Sequence, residues 1–133
     1  MLFDDFMMRQ IRKIADLVAA IAASSSGLDL GDIEERIAEA YRSLGLDRSM
    51  VFTFDGASLA RMAGDPEAGR ALVDLMVAHA QAREVAGDLP AATALLRRAG
   101  EALGQLPRDP AREDEDDDRR ATVEARLAAL AAG

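Results

Sequence analysis

The stretch DDFMMRQIRKIADLVAAIAA, from Asp4 to Ala23, decides the fold. It runs without Pro or Gly. Met7, Ile11, Ile14, Val18 and Ile21 follow one another at alternating steps of four and three residues, which draws one apolar stripe down an α-helix. Phe3, Phe6, Met8 and Leu17 widen the apolar surface beyond that stripe. Asp4 and Asp5 open the segment, where the helix dipole favours acids. Ser24-Ser25-Ser26-Gly27 ends it.

The same period recurs downstream. Ile33, Ile37, Tyr41 and Leu44 share a face of a second helix, Asp32 to Leu44. Glu34, Glu35 and Glu39 crowd its first half, Arg42 stands near its end, and Gly45 is its stop. A helix from Pro66 to Ala86, capped by Asp65, carries Leu72, Leu75, Met76, His79 and then Ala82 or Arg83. After a Gly87-Asp88 turn, Leu89, Ala92, Leu96, Ala99, Leu103 and Leu106 line another. Gly100 and Gly104 weaken that helix by about 1 kcal/mol each relative to Ala, unless they admit a close neighbour.

Only Ser49 to Gly64 dissents. Val51 to Phe54 favours a strand, but one short run has no partner strand. The sequence predicts an extended or single-turn segment that plugs Phe52 or Phe54 into the core. Asp55 or Ser58 then caps a short helix holding Leu59 and Met62, ended by Gly64. The fold class is all-α, a compact bundle of about five to six helices.

Pro107-Arg108-Asp109-Pro110 divides the chain into a helical domain, 1–106, and an acidic linker with a C-terminal helix, 107–133. Glu113 to Asp118 reads as solvated first turns or as a disordered linker. Arg119 to Ala132 carries a thin stripe of Val123, Leu127 and Leu130. Deletion of 107–133 is expected to leave a folded domain.

Composition narrows the function. The chain has 133 residues and a net charge of -8, with no Cys, no Trp and a single His. Its length is enough for one core. The acidic balance argues against nucleic acid, and no polybasic stretch invites an anionic membrane. Without Cys there are no disulfides, thiolate zinc sites or cysteine nucleophiles, which fits a cytoplasmic protein. Arg9, Arg12 and Lys13 interrupt any signal-peptide core at the start, and no stretch has the apolar length of a membrane span.

Gly87-Asp88, preceded by Ala80 and followed by Ala92, Leu96 and Ala99, resembles a tetratricopeptide-like helical hairpin. Such hairpins place small residues at the helix contact and Gly at the turn. Leu96 departs from the usual aromatic and Gly104 from the usual Pro. A second Gly-Asp pair, Gly31-Asp32, lies too far back for a regular array. The opening D-F-M-M-R-Q-I, Asp5 to Ile11, together with these Gly-Asp helices, resembles a family of small uncharacterised bacterial all-helical proteins, over most of 3–106. That resemblance implies a helical fold and no known catalytic residues.

No residue set has the pattern of a catalytic, cofactor or metal site. His79 lies on an apolar face, and the expectation is a packed histidine bonded to a backbone group. Asp74 and Glu84, its near acids, do not share its face. Glu113 to Asp118 lacks the Gly and the spacing of a calcium loop. Glu34, Glu35 and Glu39 lack the Glu-x-x-His partner of a di-metal bundle. Arg97-Arg98 and Arg119-Arg120 read as ion-pair partners. The wide apolar arc of the first helix has leverage on function. Phe3, Phe6, Met7, Ile11 and Ile14 are the expected partner-binding residues, which predicts a homodimer and a non-enzymatic interaction or assembly module. The alternative is a ligand-binding or enzymatic domain with a cleft near His79.

Overall fold

The computed structural model describes residues 2–23 and 29–132, with side chains from Asp5 onward in the first segment. Its helices are α1 (Leu2–Ala23), α2 (Leu30–Ser43), α3 (Met50–Thr53), α4 (Gly56–Ala63), α5 (Pro66–Val85), α6 (Leu89–Gln105) and α7 (Glu113–Ala132), with a 3-10 turn at Pro110–Arg112. Among the described residues there is no strand, and the fold is all-α. The break expected at Ser24 to Gly27 lies outside the described residues.

Boundaries follow local chemistry. Asp29, Asp55, Asp65 and Asp88 each accept a backbone N–H of the helix they precede, satisfying donors that have no partner within the helix. At the end of α2, Gly45 takes φ +80°, its N–H bonds the Arg42 carbonyl and the Leu46 N–H bonds the Tyr41 carbonyl. Gly87, at φ +82°, repeats this after α5, with Gly87 on Glu84 and Asp88 on Arg83. Both are Schellman ends, which need a residue free to adopt the left-handed region.

Helix α5 is the axis of the bundle. It packs against α1, α2, α4, α6 and α7. It is buried nearly all round, from Ala68 to Ala82, so its polar positions are few and each needs a partner. Leu72, Leu75, Met76, Leu95, Leu96 and Leu103 fill the α5–α6 centre. Each such side chain stabilises by about 1.5–3 kcal/mol through removal from water. The Gly87 turn makes α5 and α6 a helical hairpin. Ile14, Leu17 and Ile21 of α1 enter the core, with Met7, Ile11 and Val18 partly buried beside them. Leu17, read from the sequence as lying off the main stripe, is therefore a core residue.

For Ser49 to Gly64 the single-turn alternative holds, since Met50–Thr53 is one helical turn. The plug is corrected: the buried residue is Val51, and Phe52 and Phe54 are 40% and 39% exposed. Helix α6 imposes this shape, because Arg98 donates to the carbonyls of Phe52 (3.3 Å) and Phe54 (2.9 Å). Glu101 accepts the Gly56 N–H at 2.9 Å. A Cβ at Gly56 would overlap the Arg98 carbonyl oxygen, so only Gly permits α4 to lie this close to α6.

Of the two readings of the acidic run, the first turns of a helix hold: Glu113 to Asp118 begins α7 and is exposed, with the one correction that Asp116 is buried rather than solvated. It accepts hydrogen bonds from Arg70 of α5, Nε to Oδ1 at 3.0 Å and a terminal nitrogen to Oδ2 at 3.0 Å. Burial pushes the Asp116 carboxyl up, but the hydrogen bonds and charge of Arg70, with Arg119 behind them, reverse this and hold it below its ordinary range. Arg119 also grips Asp74 (2.9 Å), and Arg126 grips Glu84 (2.7 Å). Arg119 and Arg120 are thus ion-pair partners, as expected. Val123 is buried, with Leu127 and Leu130 half-buried on the same face.

Candidate functional site

Two regions hold chemistry or surface beyond the core. The first surrounds His79, which is 0% exposed. Its partner is a side chain, not the expected backbone group: the Tyr41 hydroxyl lies 2.9 Å from Nδ1. Burial and the nearby Glu34 charge raise the Tyr41 pKa, so Tyr41 keeps its proton. Burial, with the charges of Arg48 and Arg83, pushes His79 down to about 3. The imidazole is neutral at physiological pH, so Tyr41 donates to Nδ1 and the ring proton rests on Nε2.

Nε2 faces Glu34 Oε2 at 3.8 Å, beyond hydrogen-bond reach. Arg48 and Arg83 each approach Glu34 to 2.7 Å, one at each carboxylate oxygen. Both oxygens are thus held in ion pairs, while His79 Nε2 and Arg83 Nε have no hydrogen-bond partner. Each of these two dry nitrogens costs about 1–3 kcal/mol. Phe52 covers it from α3, edge-on to His79 with ring centroids 5.8 Å apart. Tyr41 and His79 are both sealed, and they line neither the groove between α1 and α2 nor the one beside Pro107. Tyr41 holds its proton and His79 does not take up a second one, and both rings are closed off from solvent.

The sequence reading placed His79 on a packed face with Ala82 or Arg83 but missed Glu34, Tyr41 and Arg48 as its neighbours. The acids considered for it are engaged elsewhere, Asp74 with Arg119 and Glu84 with Arg126. A signal existed. Glu34 and Tyr41 are seven residues apart and share a flank of α2, while His79 and Arg83 are one turn apart on α5.

The second region is the flank of α1. Phe6 is 52% exposed. Met7 and Ile11 are half-buried against the core, Ile14 is buried within it, and the Phe3 side chain lies outside the described residues. Beside this flank, α1 and α2 enclose a groove of about 510 Å³. Ile14, Leu17 and Ala40 form its floor, and Lys13, Asp16 and Glu39 are on its charged rims. Phe6, Gln10, Lys13 and Leu17 follow at steps of four, three and four, so Phe6 continues the groove side of α1.

Among the described residues, no three His, Asp or Glu side chains gather as metal ligands, and no helix is long and apolar enough to cross a membrane. Comparison with known protein families, with curated proteins and with solved structures finds no match to this chain.

Proposed function

We propose that this chain is a non-enzymatic helical interaction module that self-associates as a homodimer through α1. The observation that carries this reading is where the phenylalanines lie. Phe6, Phe52 and Phe54 are all at the surface, while the core is filled by Leu, Ile, Val, Met and Ala around Tyr41. Exposed phenylalanine is costly in water and is the residue type that anchors protein contacts. The closure of the His79 cluster favours this reading over a ligand-binding or enzymatic cleft at that position.

The tetratricopeptide likeness of the α5–α6 hairpin is part of the proposal. Ala80, Ala92 and Ala99 are fully buried where the helices meet, and Gly87 makes the turn. The same holds for kinship with small bacterial helical proteins and for a cytoplasmic setting, which the absence of Cys supports. The partner class is protein; a net charge of -8 disfavours nucleic acid.

Light scattering on two variants tests the choice of α1. Phe6→Glu places a charge inside the contact and should yield monomer. Phe54→Glu, on the far α3 surface, should leave the mass of the wild type. Equal loss of dimer in both variants, or in neither, would move the interface away from α1.

A further inference from the structure

We infer that the occupant of the α1–α2 groove is a second copy of this chain, whose α1 crosses it antiparallel and seats Phe6 on the Leu17 and Ala40 floor. This rests on the self-association reading and adds its geometry. A two-fold dimer requires one surface that complements itself. This flank offers an exposed aromatic at one end and, next to it, a groove of about 510 Å³ whose floor of Ile14, Leu17 and Ala40 is apolar between charged rims, so each copy carries both the knob and the hole.

Charge fixes the direction. Arg9 on the exposed side of α1 and Lys13, Asp16 and Glu39 on the groove rims make no ion pair among the described residues, whereas Arg36 of the rim is paired with Asp32. In an antiparallel crossing that sets Phe6 opposite Leu17 of the second copy, Gln10 falls opposite Lys13. Arg9 then falls about two residues out of register with Asp16, close enough for a side-chain ion pair. The two-fold axis makes each contact twice. A parallel crossing would instead align Arg9 with Arg9 and Asp16 with Asp16, like on like. Overall repulsion between two copies of charge -8 makes such local pairing the more important for orientation.

The absence of Cys makes the test clean, since only introduced thiols react. Arg9→Cys and Asp16→Cys are surface changes that remove an ion pair of small worth and leave Phe6 in place. The two variants are prepared separately, mixed, allowed to exchange, and treated with a short bis-maleimide. The mixture should give a cross-linked dimer at least about tenfold more abundant than either variant alone, because like positions lie several residues apart along the crossing. A wild-type dimer that gives no mixed product, or in which Arg9→Cys alone cross-links as well as the mixture, overturns the antiparallel crossing and leaves self-association standing. A monomeric wild type overturns both.

Discussion

Removing the Asp116 carboxylate should destabilise the protein far more than its place in an acidic run suggests. Arg70 is 3% exposed and holds Asp116 through two hydrogen bonds of 3.0 Å. In Asp116→Ala the buried guanidinium retains only Glu67, at 3.2 Å from the half-exposed end of its side chain. Stripping one partner from a buried pair costs about 3–5 kcal/mol, because a charge is left dry and unmatched. Glu67 remains and the first turn of α7 can admit water, so the low end applies, about 3 kcal/mol. For a chain of this size that lowers Tm by about 10 °C. Urea unfolding followed by circular dichroism measures it. Asp116→Asn, which keeps one acceptor, should fall between. The paired change Arg70→Met with Asp116→Leu should recover most of the loss, since well-packed apolar residues often replace a buried ion pair without cost. If Asp116→Ala costs under about 1 kcal/mol, or if the paired change is as damaging as the single ones added together, the buried pair does not hold α7 in place.

Three further outcomes follow from particular contacts. Gly56→Ala should cost about 2–3 kcal/mol in denaturant unfolding, because its Cβ meets the α6 backbone, which cannot yield as a side chain would. Gly104→Ala should stabilise by about 1 kcal/mol, since no atom lies within 4 Å of its Cβ and the helix gains a better former. Stability should rise with pH through the histidine range. The folded His79 pKa is near 3 and its unfolded value is 6.5, so between these values the unfolded chain binds a proton that the folded one refuses. The slope approaches 1.4 kcal/mol per pH unit, and His79→Gln should flatten it above pH 5, where no other side chain of ordinary pKa titrates.

Much of this architecture was legible in the sequence. Apolar steps of three and four marked α1, α2, α5 and α6, and the Asp caps with Gly45, Gly64 and Gly87 marked several of their ends. What escaped was set by distant chain. Val51 to Phe54 left an extended run and a single turn both open, and the Arg98 hydrogen bonds that hold the turn's carbonyls come from more than forty residues away. His79 was read against acids of its own helix, whereas its neighbours other than Arg83 belong to α2, α3 and the loop between them. Asp116 was hidden by uniform composition. Tracing the stripe back seven residues from Val123 arrives at Asp116, so helical phase distinguished it from the acids around it. The exposure of Phe52 and Phe54 had no local signal, because aromatic residues in an apolar run read as core.

The account turns on whether two copies meet through α1. Sedimentation equilibrium of the wild-type chain, from low to high micromolar concentration, measures this directly. The expected result is a mass that rises with concentration toward twice the 14.2 kDa of one chain, and that stays at one chain for Phe6→Glu at every concentration. A wild type that remains at 14.2 kDa at the highest concentration would contradict the account.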